Sequence, residues 1–284
     1  WDTWNDGTQN HLFVLNVDGS GPPVHVTRGF DGDTPSKPFG DESDFVFTPA
    51  GDSIVFSARL AGKSEPWSTN FDLWKTNGLS GDGTFTNLTQ DNPAWDAGPV
   101  FSPDGRTLAY RAMARPGFEA DRYQIVLMDV ETGQKREIAS NWDRSADTLQ
   151  WSRDGQTLYT TAGDVGSTRL FAVDTRNGVV TPVTGPGHVS AFQQTPSGFV
   201  FAQDTLVRPS ELFVKTFRGR EMPRRITDVN PSLDAETFGE AWTAVNALDV
   251  TWGKGTIDAE SNATIHSKLK ASVLPFALPP LGAL

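Results

Sequence analysis

Four segments of the chain share one pattern of hydrophobic and polar positions. Each segment places a Ser/Thr-x-x-Gly turn between two runs in which apolar residues alternate with polar ones. The alternation predicts strands, and the Pro and Gly of the turn favour a tight hairpin with the glycine at positive φ. Each segment is therefore predicted to be a β-hairpin, and the turn glycines are Gly51, Gly105, Gly155 and Gly198.

The spacing of these hairpins identifies the repeat. Consecutive turn glycines lie 54, 50 and 43 residues apart, close to the ~40–50 residues of a β-propeller blade. A second pair of strands follows each hairpin, as in Gln124 to Val130, the turn at 131–133, and Lys135 to Ala139. We therefore predict an all-β fold, a β-propeller built from four-stranded antiparallel blades.

The repeat also gives boundaries. Complete blades are predicted over about 43–90, 98–140, 147–184 and 188–228, and residues 1–30 supply the outer strands of a partial blade, which makes 1–228 a partial propeller. Residues 229–252 read as a linker with a short helix, and 253–284 carry no assignable pattern. Propellers typically close with four to eight blades, and an open array would leave strand edges unpaired. Either the chain closes in an unusual way or its front is missing. We expect a fragment, with a frameshifted or truncated reading frame as an explanation of its tail.

Composition excludes several classes of partner. The net charge of −11 and the lack of a basic cluster argue against nucleic acid. No stretch approaches the ~20 apolar residues that span a bilayer. The absence of cysteine excludes thiolate zinc sites and cysteine nucleophiles. We predict no nucleic-acid partner and no membrane partner.

Catalytic and metal motifs are absent from the sequence. There is no Gly-x-Ser-x-Gly elbow, and the four histidines stand without the spacing of a triad. The Asp-rich turns lack the twelve-residue grammar of a calcium loop. We therefore predict no catalytic residue, no metal site and no cofactor in this chain.

Two segments interrupt the blade pattern with polar and aromatic residues, one over 59–74 and one over 111–123. Both connect the second and third strands of adjacent blades, so we expect them on one face, where binding groups collect. Carboxylates could bind a peptide amino terminus, guanidinium groups a carboxylate or carbonyl, and aromatic rings could wall a pocket. The candidate carboxylates are Glu65, Glu119 and Asp121. The candidate guanidinium groups are those of Arg115 and Arg122, and the candidate aromatic rings are those of Trp67 and Phe118. The alternative is that Glu119, Asp121 and Arg122 pair only with each other to hold their loop.

At these segments the chain resembles the propeller of the prolyl oligopeptidase family, in its dipeptidyl-peptidase 5 and acylaminoacyl-peptidase branch. The resemblance rests on the run from Glu65 to Asp72, which includes Asn70, on the run from Arg115 to Tyr123, on the opening Trp-Asp-Thr-Trp, and on the Ser-Pro-Asp-Gly turns. It implies a propeller that caps an α/β-hydrolase domain with a Ser-Asp-His triad, its loops helping to form the pocket for the substrate's amino-terminal end.

The sequence departs from that pattern at both ends, since the first blades and the hydrolase domain are missing. We therefore expect a substrate-gating and substrate-selecting propeller of a serine dipeptidyl or acylaminoacyl peptidase, inactive alone. Its partners would be a peptide and the missing hydrolase domain, in the periplasm or outside the cell, with the cytoplasm still open. The alternative is a stand-alone binding propeller of the Tol-system kind, for protein–protein contact.

The substrate-binding set from these considerations comprises Glu65, Trp67, Asn70, Arg115, Phe118, Glu119 and Arg122. A free α-ammonium needs a carboxylate partner. Glu65 is the first choice, because Pro66 stiffens the chain beside it and Trp67 can exclude water. Glu119 is second, because Arg115 and Arg122 lie close enough in sequence to neutralise it.

Overall fold

A computed structural model describes residues 7–37, 40–205, 208–217 and 221–229. The described residues form strands joined by turns and two short 3₁₀ helices, at Glu42–Asp44 and Gly62–Trp67. The chain divides into two compact units, Trp1–Pro186 and Gly187–Leu284. The predicted all-β class is confirmed, whereas the predicted helix within 229–252 and the tail at 253–284 lie outside the described residues, apart from Val229.

The first unit contains a two-stranded ribbon and three four-stranded antiparallel sheets, each in chain order. The ribbon pairs β1 (Phe13–Val14) with β2 (Val24–His25). The first sheet comprises β3 (Phe45–Phe47), β4 (Ile54–Arg59), β5 (Phe71–Thr76) and β6 (Phe85–Asn87). The second comprises β7 (Asp96–Phe101), β8 (Thr107–Ala112), β9 (Gln124–Asp129) and β10 (Lys135–Ile138). The third comprises β11 (Gln150–Trp151), β12 (Thr157–Asp164), β13 (Ser167–Asp174) and β14 (Val180–Pro182).

The second unit carries a further antiparallel run of four strands in chain order. It comprises β15 (His188–Gln194), β16 (Gly198–Thr205), β17 (Arg208–Thr216) and β18 (Arg224–Arg225). Its register shifts twice, between Val189 and Ala191 and between Gln203 and Thr205.

The repeated turns form the predicted hairpins. In the second sheet, Gly105 N donates to Ser102 O at 2.8 Å, and Ser102 N donates to Thr107 O at 2.8 Å. The Ser102 hydroxyl donates to Asp104 Oδ1 at 2.6 Å. The first three turn glycines have φ of +70°, +72° and +68°, which glycine tolerates without strain.

The fourth turn differs from the prediction, because Gly198 does not adopt positive φ. It begins β16, and a Cβ there would lie 1.9 Å from the carbonyl oxygen of Lys215 on the neighbouring strand. Close approach of two backbones, and not turn conformation, therefore requires glycine at this position.

The hydrophobic core of the first unit lies between successive sheets. Leu73 of the first sheet packs with Leu108 and Tyr110 of the second. Ile125 and Leu127, on the other face of the second sheet, pack with Leu158 of the third. The second sheet is thus buried on both faces, and the strand ends and their connections are left to carry polar chemistry.

Candidate functional site

The two unusual segments form loops at one end of adjacent sheets. The first loop, 60–70, connects β4 to β5, and the second loop, 113–123, connects β8 to β9. The backbone N–H of Gly117 donates to Thr69 Oγ1 at 2.8 Å, and Thr69 is buried. The structure therefore brings the two loops together, with the buried Thr69 hydroxyl as the link.

Glu65 lies in the 3₁₀ helix of the first loop and is paired within its own sheet. Arg59 at the end of β4 donates from Nη2 to Glu65 Oε1 at 3.1 Å and from Nη1 to Ser68 O at 2.7 Å. The Arg59 guanidinium also lies 4.8 Å from the ring centroid of Phe71. Glu65 thus has a cation partner already, which the sequence did not reveal.

The other two candidates of the first loop have opposite environments. Trp67 is 81% exposed. Asn70 is half-buried, and its side-chain amide faces the backbone carbonyl oxygens of residues 92–94 at 3.1–3.3 Å, so its nitrogen donates to them. Asn70 therefore fastens the first loop to the segment that precedes β7.

The second loop is organised around Asp121. Its Oδ2 accepts from the backbone N–H groups of Ala114 and Arg115, each at 2.9 Å, and its Oδ1 accepts from Arg115 Nε at 3.0 Å. Burial opposes ionisation of Asp121, but these hydrogen bonds outweigh burial and hold its pKa below the ordinary value. The Arg115 guanidinium also covers the Phe118 ring, 4.0 Å from its centroid, and Phe118 is 43% exposed.

Glu119 and Arg122 do not pair with each other. Arg122 donates to Trp142 O at 2.8 Å and lies 3.6 Å from Glu137 Oε1, which ties the second loop to the residues before the third sheet. Glu119 is exposed, and its side chain makes no hydrogen bond or ion pair with any described residue. The loop is therefore not held by pairing of Glu119, Asp121 and Arg122 only with each other, which was the alternative from sequence.

A cavity of about 460 Å³ opens at the same end of the sheets. One wall is aromatic, because Phe71 and Trp95 stack at 4.2 Å and Tyr123 meets Trp95 edge-on at 6.3 Å. Phe71 and Tyr123 are the residues at which the two loops return to the sheets. The remaining lining residues are mostly polar: Ser36, Lys37, Asp41, Glu42, Ser43, Asp44, Ala97, Arg111, Asp147 and Thr148.

Carboxylates dominate the charge of this cavity. The hydroxyl and backbone N–H of Ser43 stabilise the Asp41 carboxylate and lower its pKa. Burial raises the pKa of Asp44, although Ser36 donates to its Oδ2 from the hydroxyl at 3.0 Å and from the backbone at 3.3 Å. Asp147 is held through Oδ2 by the Thr161 hydroxyl at 3.2 Å. Oxygen acceptors thus surround a partly enclosed space that a cationic group could enter.

Two basic groups balance part of that charge. Lys37 is turned away to the backbone oxygen of Thr8 at 2.7 Å and to Asp33 at 3.4 Å. Arg111 lies against the ring of Tyr123, 5.0 Å from its centroid. Burial raises the pKa of Tyr123 to about 12, so its hydroxyl stays protonated at neutral pH.

The composition of the two loops marked them in the sequence, whereas the cavity was not predicted. Asp44, Asp96 and Asp147 each stand at or just before the first strand of a sheet, seven to nine residues before the turn glycine. That recurrence was a readable signal for polar groups at one end of the fold. Asp44 and Asp147 face the cavity, whereas Asp96 is buried behind it.

Comparison with known proteins agrees with this architecture. No family model matches the chain. Dipeptidyl-peptidase 5 of Porphyromonas gingivalis is 28% identical over 249 residues, covering 87% of this chain and 34% of the relative. The chain is similar to dipeptidyl-peptidase 5 over most of its length. It spans about a third of the length of that protein.

Solved structures show the fold. Puromycin hydrolase matches with a TM-score of 0.57 at 15% identity, covering 78% of this chain and 35% of that one. The β-propeller domain of the trilobed protease from Pyrococcus furiosus matches with a TM-score of 0.50 at 17% identity, covering 68% of this chain and 57% of that one. A putative TolB protein from Agrobacterium tumefaciens matches with a TM-score of 0.55 at 18% identity, covering 78% of this chain and 75% of that one. The chain therefore has the β-propeller fold. No helix among its described residues has the length and apolar character needed to cross a bilayer.

Proposed function

We propose that this propeller selects peptide substrates for a peptidase of the dipeptidyl or acylaminoacyl class, by admitting their amino-terminal end at the loop-bearing end of its sheets. The observation that carries the proposal is that Phe71 and Tyr123, the residues at which the two loops return to the sheets, line one acidic, aromatic-walled cavity. The peptide bond would be cleaved by a Ser-Asp-His triad in a separate α/β-hydrolase domain.

The similarity to dipeptidyl-peptidase 5 supports a peptide as the ligand. A peptidase that removes dipeptides acts at a free amino terminus, and an ionised carboxylate in a partly enclosed site is the natural partner of an α-ammonium group. Such a charge-assisted hydrogen bond contributes about 1.5–3 kcal/mol. The cavity offers this chemistry next to rings that can bury the first side chain.

The contacts change the order of the carboxylate candidates. Glu65, the first choice from sequence, is paired with Arg59 at 3.1 Å. Glu119, the second choice, is free of the Arg115 and Arg122 pairs but is exposed, where water screens its charge. Asp41 and Asp44 line the cavity itself. We therefore assign the ammonium to Asp41 and Asp44, with Glu119 as an exposed steering charge on the second loop.

The experiment compares peptides that differ only in charge at the amino terminus. Alanyl-alanine amide and its N-acetyl form are titrated against the full chain by isothermal calorimetry. We expect the free-amino form to bind about ten- to a hundred-fold more tightly. Asp44→Asn should remove most of that preference, Glu65→Gln should leave it, and equal affinity for both peptides would refute the proposal.

The second candidate function is a propeller that binds another protein without any hydrolase domain. The match to TolB favours this alternative, because the matched region covers about three quarters of each of the two chains. Failure of both peptides to bind would move the preference to this alternative.

A further inference from the structure

Arg111 is held in the cavity by packing. It lies on β8 opposite Ala97 of β7, and only 14% of its side chain is exposed. The Tyr123 ring covers the guanidinium on one side. On another side lies Gly98, where a Cβ would come within 2.8 Å of Arg111 Nε. Packing on both sides therefore restricts the conformation of the Arg111 side chain.

The hydrogen-bond donors of Arg111 have no acceptor among the described residues. Its nearest carboxylate contact is Asp147 Oδ1, 3.5 Å from Nη1, which is longer than a hydrogen bond between charged groups. The half-buried arginines elsewhere in this unit differ. Arg122 donates to a carbonyl oxygen at 2.8 Å, and Arg169 donates to Thr184 O at 2.7 Å and to Asp164 at 2.8 Å.

This difference points to an acceptor that comes from outside the chain. An arginine presents five N–H donors in a planar fork, and no nitrogen of Arg111 is among the fully buried atoms that lack a partner, so its donors remain accessible from the cavity. The fork matches a carboxylate with two parallel hydrogen bonds. Because Arg111 lines the cavity with its donors unused, a ligand carboxylate entering there would find a site already formed.

The opposite charge lies within the same cavity. Asp41 and Asp44 lie near enough to Arg111 for its charge to stabilise both carboxylates. A ligand that carries an ammonium at one end and a carboxylate at the other can therefore satisfy both sides. Two residues of extended chain span at most about 7 Å, a length that a cavity of about 460 Å³ accommodates.

We propose that the cavity binds short zwitterionic peptides, with Arg111 holding the free carboxylate and Asp41 and Asp44 holding the ammonium. The inference rests on the proposed function, which requires only the ammonium end. It adds that the ligand is a whole short peptide with both termini free, so the cavity would retain a released dipeptide in preference to the end of a long chain.

The test separates the two termini of one ligand. Alanyl-alanine, its C-terminal amide and its N-acetyl form are titrated against the full chain and against three variants by calorimetry. For the unmodified chain we expect the free acid to bind about tenfold more tightly than the amide. Arg111→Gln should abolish that ratio, and Arg111→Lys should retain about two- to threefold, because an ammonium is a point charge without the fork.

The matched control is Arg153→Gln, which removes the same charge from an exposed arginine in the turn between β11 and β12. This variant should keep the tenfold ratio. Equal binding of acid and amide to the unmodified chain, or a ratio that survives in Arg111→Gln, would overturn the carboxylate site.

The N-acetyl peptide distinguishes this result from failure of the proposed function. If acetylation weakens binding and amidation does not, the ammonium site stands and the Arg111 proposal is wrong. If acetylation has no effect, the proposed function is wrong whatever Arg111 does.

Discussion

The buried carboxyl of Asp96 makes the stability of the fold depend on pH. Asp96 is fully buried at the start of β7, and its Oδ1 accepts from Asn92 Nδ2 at 2.8 Å, while Oδ2 has no partner among the described residues. Burial raises the pKa of Asp96 to about 7 from 3.8, and the nearby Asp72 carboxyl adds to the rise. Asn92, Thr89 and Lys135 favour the ionised form but do not outweigh burial.

The sign follows from the number of protons bound. Between the ordinary pKa and about 7, Asp96 holds its proton in the folded state and has lost it in the unfolded state. The folded state therefore binds more protons, and stability falls as pH rises. One pKa unit corresponds to about 1.4 kcal/mol, so about 2–3 kcal/mol should be lost between pH 5 and pH 8.

Asp96→Asn removes this titration while keeping the shape and the acceptor for Asn92. The new amide leaves a buried N–H₂ group in place of Oδ2, which costs about 1–3 kcal/mol at every pH. We expect the variant to be less stable than the unmodified chain at pH 5 and to match or exceed it at pH 8. The relative shift should be roughly 5–10 °C in melting temperature.

Melting temperatures at half-unit steps from pH 5 to pH 8, followed by circular dichroism, measure that relative shift. Groups common to both proteins, including the histidines and Asp72, largely cancel in the difference. Asp104→Asn is the control, because Asp104 is an exposed turn residue whose pKa is lowered by hydrogen bonding to Ser102, so it stays ionised over this range. Parallel pH profiles for Asp96→Asn and the unmodified chain would refute the reasoning.

Two further predictions test the loops and the strands. Thr69→Val removes the acceptor for Gly117 N, so amide hydrogen exchange over 113–121 should speed up several-fold while exchange over 124–129 stays unchanged; unchanged exchange in the loop would mean that this bond does not hold it. Gly198→Ala forces a Cβ against Lys215 O and should destabilise by at least about 2 kcal/mol, whereas Gly163→Ala, where a Cβ meets open space in β12, should change stability by under about 0.5 kcal/mol. Urea unfolding of both variants measures the contrast, and equal losses would contradict it.

Local chemistry made the strands and turns predictable from sequence. The Ser/Thr-x-x-Gly grammar depends on residues within a few positions of each other, and the structure places hairpins at all four sites. Gly198 is the exception that shows the limit. The hairpin at Gly198 was predicted correctly and the positive φ of its glycine was not; glycine is required there by a strand 17 residues further along, which no local pattern reveals.

The site was predictable only in part, for the same physical reason. The loops at 60–70 and 113–123 stood out because their composition breaks the repeat. The ion-pair partners of the loop residues were not predicted. Glu65 was expected to be free, but it pairs with Arg59. Arg115 and Arg122 were expected near Glu119, but they pair with Asp121 and Glu137. Ion pairs depend on which strand end faces which loop, and sequence spacing alone does not determine that.

The position of Arg111 shows how the backbone of one strand prepares a site on its neighbour. Between Ala97 and Val100, β7 contains one residue more than β8 does between Arg111 and Ala109, which is a β-bulge. Gly98 supplies the φ of +63° within this bulge, and Pro99 can be accommodated because a bulge leaves the ladder interrupted. Since Gly98 has no side chain, the Arg111 guanidinium packs directly on the β7 backbone, beside the aromatic wall of the cavity. The Gly-Pro pair that interrupts β7 thus creates the space in which the partly buried Arg111 guanidinium lines the cavity.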